Sequence, residues 1–252
     1  MPIREGFFAY LEDIAGQGGG FALFGRTHLS VLGGLALLIY VLCLVFKRLG
    51  DTGRRRMLKA VAITTFSMEA VRQITFPLLQ GNYWLENLPL HLCALSIFIE
   101  MVHAFFPNKT TKEILYCLCL PGAIAALLFA NWTMYSLLNF YCMQSFVIHA
   151  LHVAFPLMLI TSGEHRPNAR QLWRPVLFLA VILPPIYFLN QKLSTNFFFI
   201  NAGSEGSPLE IFINWVGVPW FLIPYACLLA VAWLLMYLPW HTNSRKKNYT
   251  HN

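Results

Sequence analysis

Charged side chains are scarce in this sequence. Only 12% of its 252 residues are Asp, Glu, Lys or Arg, whereas about a quarter of the residues of a soluble domain are charged. Hydrophobic residues make up 57% of the chain. The shortage of charge argues against an ordinary soluble domain and indicates that lipid is the solvent for most of the chain.

The alternation of apolar and polar residues that is typical of membrane β-barrels is absent as well. An open sheet cannot cross a bilayer, because lipid leaves its edge N–H and C=O groups without partners. The sequence therefore predicts an all-α fold, a polytopic membrane helical bundle that forms a single transmembrane domain over residues 1–252. The chain also lacks the internal repeat that marks many transporters.

The cysteines do not have the spacing of a zinc ribbon, and Cys117 and Cys119 are too close together for one. The sequence predicts no cofactor and no resident metal. The net charge of +7 does not indicate a nucleic-acid partner, because the basic residues lie in short loops between apolar runs. Membrane lipids are the expected partners. All six cysteines fall in apolar runs and are expected to be buried free thiols: Cys43, Cys93, Cys117, Cys119, Cys142 and Cys227.

Seven apolar runs approach or reach the roughly 20 residues that a membrane-spanning helix needs. Prolines in two of them predict irregular geometry, a kink at Pro121-Gly122 and a distortion at Pro184-Pro185. Pro89 is expected in the first turn of the third helix, where proline is tolerated. The predicted spans are Leu29–Phe46, Met57–Leu79, Leu88–Phe106, Glu113–Ala130, Leu138–Ile160, Pro175–Asn190 and Val218–Trp240.

The distribution of basic residues predicts the orientation, because loops rich in Lys and Arg stay in the cytoplasm. With the N-terminus outside and the C-terminus cytoplasmic, the outside segments contain only Arg4, Arg26 and Lys192. The inside segments contain Lys47, Arg48, Arg54, Arg55, Arg56, Lys59, Lys109, Lys112, Arg166, Arg170, Arg174, Arg245, Lys246 and Lys247.

Aromatic residues at the predicted span boundaries are typical of the belts that membrane proteins place at the lipid–water interface. They are Tyr83, Trp84, Trp132, Trp173, Trp215, Trp220 and Trp240.

Polar residues within the spans are expected to face the interior of the bundle. On the second span Thr65, Glu69, Arg72 and Gln73 share one helical face. Glu69 and Arg72 can pair at i, i+3. This arrangement predicts a carboxylate and a guanidinium in the outer half of the bundle, and an arginine there suits a phosphate or carboxylate group.

The third span carries a second polar stripe, formed by Cys93, Ser96 and Glu100. His91 lies roughly opposite Cys93, since two residues turn about 200° in a regular helix. His91 and Cys93 could act at one site only if the first turn were loosened, which Pro89 makes possible.

The fifth and sixth spans complete the predicted polar cavity, which opens to the outer half of the membrane. Gln144 is expected to point away from the polar stripe of the fifth span. Asn190 ends the sixth span, and Asn196 follows in the long connection between residues 191 and 216, which is either a lid or an aromatic anchor at the headgroups. The stripe on the fifth span consists of Tyr141, Cys142, Ser145, His149 and His152.

Several motifs, in this order and spacing, resemble those of the bacterial YwaF-type integral membrane proteins. That family is distantly similar to a mammalian multi-pass acyltransferase that remodels ether phospholipids. The motifs are Phe24 to His28, the segment Leu88-Pro89-Leu90-His91-Leu92-Cys93 preceded by Glu69 and Gly81, Gln144 to His149, Asn190 with Thr195-Asn196-Phe197, and Pro219-Trp220.

The resemblance implies acyl transfer between phospholipids through a cysteine nucleophile with the help of a histidine. On this sequence Cys93 is the candidate nucleophile and His91 or His149 the candidate base, with Ser96 and Ser145 as rival nucleophiles. The candidate substrate-binding residues are Glu69, Arg72, Gln73, Gln144, Asn190 and Asn196.

Two other functions remain open at the level of sequence. In a small-solute or proton-coupled transporter, Glu69, Glu100, His149 and His152 would carry protons. In a metal-dependent intramembrane hydrolase, His149 and His152 with His91 or Glu69 would hold zinc, although a histidine pair at i, i+3 is a weak motif. A retinal-binding protein is excluded, because the seventh span contains no lysine for a Schiff base.

Overall fold

The computed structural model describes residues 7–8, 19–80, 88–203 and 207–248. Four positions used above, Arg4, Gly81, Tyr83 and Trp84, lie outside the described residues. The helices are α1 (Arg26–Arg48), α2 (Asp51–Gln80), α3 (Leu92–Phe105), α4 (Lys109–Ile114), α5 (Leu120–Leu128), α6 (Phe140–Thr161), α7 (Trp173–Leu193), α8 (Pro208–Val216) and α9 (Leu222–Asn248).

The described helices form a membrane bundle, as predicted. Among the described residues, five helical segments are long and apolar enough to cross a bilayer, and α3 is a shorter apolar helix beside them. Helix α2 has the length to cross, with 30 residues, but its first turns are charged. The five segments are Arg26–Arg48, Lys109–Leu128, Phe140–Thr161, Ala169–Leu193 and Leu222–Trp240.

Helix α6 lies at the centre of the bundle and packs against α1, α2, α3 and α5. It is buried on nearly all sides, which fits its lack of a single apolar face. The Asn139 side chain caps its start by accepting from the backbone N–H groups of Tyr141 and Cys142. The polar residues of α6 therefore project into the protein interior.

The third span begins later than predicted. The segment from Leu88 to His91 forms turns, and α3 starts at Leu92 with His91 in an extended conformation (φ −69°, ψ 156°). Proline disfavours helical geometry in the residue before it, so Pro89 precedes the helix and does not lie in its first turn. The direction of the His91 side chain is therefore not set by the rotation of about 100° per residue of a regular helix.

The kink predicted at Pro121 takes the form of a π-helical turn. Residues Leu115–Cys119 widen the helix between α4 and α5, and the N–H of Leu120 donates to the carbonyl of Leu115. Pro121 has no N–H to continue an α-helical ladder, which accounts for an irregularity at this place. The sequence also predicted a distortion at Pro184-Pro185, but α7 remains one continuous helix through both prolines.

One end of the bundle collects three of the segments predicted to be cytoplasmic. Arg54 forms an ion pair with Glu164 (3.5 Å). The Lys112 ammonium donates to the backbone carbonyl of Glu164 (2.7 Å), and Arg174 donates to Thr110. The basic loops therefore lie side by side, as an alternating path of the helices through the bundle requires.

The described residues of the long connection after α7 include two short helical segments. These are a short 3₁₀ turn, Phe197–Phe199, and helix α8. Phe197 and Phe198 are buried against Ile186 and the leucines that precede α3. These two aromatic side chains thus face the protein, and the turn covers the start of α3.

Candidate functional site

The carboxylate of Glu69 is the centre of a buried polar cluster. Arg72 on the same helix donates from Nη1 to both Glu69 oxygens, at 3.2 and 3.3 Å. Gln73 donates to Oε1 (2.7 Å) and Gln144 to Oε2 (3.3 Å). The charge of a buried carboxylate needs such compensation, and here a guanidinium and two amides provide it.

The position of Gln144 differs from the prediction. The sequence placed it away from the polar stripe of α6, whereas its amide reaches across to Glu69 on α2. Positions 141, 144 and 148 are neighbours on a helix at i, i+3 and i+7. Because α6 packs against α2, this flank of the stripe faces the carboxylate.

His91 and Cys93 lie at the irregular start of α3. The Cys93 thiol is in the first turn of this helix, which packs against α2, the helix of Glu69. The His91 ring packs against Phe197 and Phe199, with ring centroids 5.2 and 5.0 Å away. Because His91 lies outside the helix, it is not forced to the side opposite Cys93, and the two side chains can act at one site.

His149 is held with a defined protonation pattern. Its Nδ1 lies 2.7 Å from the backbone carbonyl of Ser145, which can only accept a hydrogen bond. In the neutral ring Nδ1 therefore carries the proton, and Nε2 keeps its lone pair. The arrangement suits a general base.

A second buried cluster lies deeper in the bundle. His152 Nδ1 is 2.8 Å from Glu100 Oε1, and the hydroxyl of Thr65 is 3.2 Å from Glu100 Oε2. The three side chains come from α6, α3 and α2, and each is at most 1% exposed. Within the described part of the chain, the buried Nε2 of His152 has no hydrogen-bond partner.

Ser96 and Cys119 form a further polar contact near this cluster. The Ser96 hydroxyl donates to the Leu92 carbonyl (2.8 Å), and its oxygen can accept from the Cys119 thiol of the π-helical turn. The widened turn before Pro121 thus faces the polar interior.

Asn190 and Asn196 shape the covering turn. Asn190 is fully buried, its Oδ1 accepts from Thr195 Oγ1 and the Phe197 N–H, and its Nδ2 donates to the Phe197 carbonyl. Asn196 bonds the backbone of Asn201 and Ala202. Both amides therefore fix the aromatic turn over His91, and substrate binding by them stays a prediction.

Trp132 belongs to the site, although the sequence indicated only an interface residue. Its ring stacks on His149 with centroids 4.8 Å apart and an interplanar angle of 21°. Phe146 meets it edge-on at 5.5 Å. Position at a span boundary was the only signal that the sequence offered for Trp132, and nothing local linked it to a histidine of another helix.

The zinc-site alternative gains no support from the geometry. Among the described residues, no group of three or more His, Cys, Asp or Glu side chains is arranged to hold a metal ion. The rings of His149 and His152 are 6.1 Å apart and nearly perpendicular.

These features define an integral membrane protein with a buried cluster of Glu69, Arg72, Gln73 and Gln144 inside a helical bundle. Comparison with known families is more specific: the chain belongs to the TMEM164 family, whose model matches residues 23–237. An uncharacterized protein of Treponema pallidum (strain Nichols) is 23% identical over 231 residues, which cover 90% of this chain and 93% of that protein. No solved structure matches this chain.

Proposed function

We propose that this protein is a YwaF-type membrane acyltransferase that moves acyl chains between phospholipids through Cys93. The proposal rests on one observation above all. The hydrogen bond from Gln144 of α6 to Glu69 of α2 joins the helix that carries His149 to the Glu69–Arg72 pair. Helix α3, which begins with His91 and Cys93, packs against both of those helices. A thiol, bases and a cation for a phosphate are the groups that this chemistry requires.

The reaction would begin with attack of the Cys93 sulfur on the carbonyl carbon of a phospholipid ester. The thiol proton passes to Nε2 of His149, the C–S bond forms, and the ester C–O bond breaks. His149 returns that proton to the departing oxygen, so a lysophospholipid leaves and a thioester remains. An acceptor hydroxyl then reverses these steps, giving its proton to His149, forming a new C–O bond and restoring the thiol.

Arg72 is the residue proposed to hold the lipid phosphate. Its side chain is 27% exposed, whereas that of its partner Glu69 is only 10% exposed. A guanidinium can bind a phosphate oxygen while it keeps one contact with the carboxylate. Gln73 and Gln144 hold Glu69 from the other side and keep the pair in place.

The proposed orientation puts this site in the outer half of the cell membrane, with the N-terminus outside and the C-terminus in the cytoplasm. The positive-inside pattern supports it. The gathering of Arg54, Lys112 and Arg174 around Glu164 and Thr110 at the opposite end of the bundle supports it as well.

The test is acyl exchange in proteoliposomes, measured by mass spectrometry with an isotopically labelled phospholipid and an unlabelled lysophospholipid. Cys93→Ala is expected to abolish exchange, and His149→Ala to lower its rate by about 10²–10⁴-fold, because the general base is lost. Cys227→Ala, at an exposed thiol, is the matched control and is expected to retain full activity. A well-folded Cys93→Ala, His149→Ala double variant with normal exchange would contradict the proposal.

A proton-coupled transporter is the second candidate, favoured by the Glu100–His152 pair. Its 2.8 Å contact and the unpartnered Nε2 of His152 are features that a buried proton carrier needs. Solute uptake that depends on a pH gradient, with no acyl exchange in the same vesicles, would favour the transporter.

A further inference from the structure

The indole N–H of Trp132 is a buried donor without an acceptor. Across the described residues, no group accepts a hydrogen bond from Trp132 Nε1, and the atom is shielded from solvent. A buried donor that remains unsatisfied costs about 1–3 kcal/mol. Such a group is uncommon in a native protein and calls for a physical reason, of which a bound ligand is one.

The position of this donor is fixed by its surroundings. The ring lies flat on His149 and is contacted edge-on by Phe146. The backbone next to it is tied to the N-terminal segment, since the Phe21 N–H donates to the Thr133 carbonyl (2.8 Å). Trp132 therefore presents its N–H from a constrained ring, directly beside the candidate base.

The candidate amides Gln144 and Asn190 each direct one of their two N–H groups to a partner within the fold. Gln144 Nε2 donates to the Glu69 carboxylate, and Asn190 Nδ2 donates to the Phe197 carbonyl. Each is bound to a partner that the fold itself supplies. Trp132 is different, because its single N–H has no partner within the parts of the chain described.

We propose that the Trp132 indole N–H donates a hydrogen bond to the oxygen of the acyl group under attack, an inference that rests on the proposed acyltransferase function. As the sulfur–carbon bond forms, the carbonyl π electrons move onto oxygen and create an oxyanion. The N–H stabilises that charge until the ester C–O bond breaks and the carbonyl re-forms. Trp132 is then a catalytic residue that neither gives up nor receives a proton.

The experiment compares Trp132→Phe with wild type. Phenylalanine keeps an aromatic ring against His149 but has no N–H. The rate constant kcat for acyl exchange is expected to fall by about 10²–10³-fold, the usual effect of losing one oxyanion donor, with KM little changed. Trp215→Phe, whose side chain is 75% exposed, is the matched control and is expected to keep wild-type kcat.

A second measurement separates this role from a structural one. Alkylation of Cys93 by iodoacetamide, followed by peptide mass spectrometry, depends on the thiol and its base but creates no oxyanion. Trp132→Phe is expected to leave the alkylation rate unchanged. Equal falls in alkylation and exchange would assign Trp132 to positioning His149 and overturn the inference, as would unchanged exchange. Wild-type protein without exchange would instead refute the proposed function and, with it, this inference.

Discussion

Three buried histidines differ in ways that only their partners reveal. His28 accepts from the Phe24 N–H at Nδ1, and its Nε2 lies 3.0 Å from the Leu127 carbonyl, so both nitrogens serve the fold. His149 and His152 bond through Nδ1 to an acceptor, a carbonyl and a carboxylate respectively. That contrast separates a structural histidine from two that can exchange a proton.

Glu100 joins two other helices through its buried hydrogen bonds with His152 and Thr65. Glu100→Ala is expected to lower the free energy of unfolding by about 1–3 kcal/mol, because His152 and Thr65 lose a fully buried hydrogen-bond partner. Thermal unfolding in detergent measures the change. Glu164→Ala is the control: it breaks an ion pair with partly exposed side chains, which is worth about 1 kcal/mol or less. Equal losses in the free energy of unfolding of the two variants would show that the buried hydrogen bonds of Glu100 do not stabilise the fold.

Elements that are distant in sequence build the walls of the site. The segment before α1 packs on the turn between α5 and α6, which carries Trp132. A Cβ placed on Gly20 would lie 2.7 Å from the Thr133 carbonyl oxygen and 2.8 Å from that of Met134. Glycine at position 20 is therefore required by a close backbone approach.

Gly20→Ala is expected to destabilise the protein by about 1–3 kcal/mol, because backbone atoms cannot yield as a flexible side chain can. It should also reduce acyl exchange by displacing the turn with Trp132. Gly33→Ala in α1, where a Cβ meets nothing within 4 Å, is expected to stabilise the helix by up to about 1 kcal/mol. Unfolding midpoints and exchange rates of both variants test this. A Gly20→Ala protein as stable as Gly33→Ala would show that the contact is unimportant.

The whole molecule has one basic end, and its orientation in a cell can be measured. In a Cys93→Ala, Cys227→Ala background, Lys192→Cys and Lys109→Cys place thiols at exposed positions. A membrane-impermeant maleimide is expected to label Lys192→Cys in intact cells and Lys109→Cys only after permeabilisation, since the basic loops stay in the cytoplasm. Labelling of Lys109→Cys in intact cells would reverse the proposed orientation.

Features set by spacing along one helix could be read from the sequence. The Glu69–Arg72–Gln73 face of α2 was predicted because residues three and four apart are neighbours on any helix. The disturbance at Pro121 was predicted because proline acts locally, whereas the predicted start of the third span at Leu88 was wrong, since α3 begins at Leu92. The scarcity of charge likewise determined the membrane class.

Contacts between helices were decided by the tertiary structure alone. Gln144 reaches Glu69, Trp132 stacks on His149, and the aromatic turn after α7 lies on His91. Helical periodicity gives the face on which a side chain lies, but it does not give the helix that the face will meet. That choice depends on the packing of the whole bundle, so the scarcity of charge is a property of the sequence, whereas the grouping of its few polar residues into a site is a property of the fold.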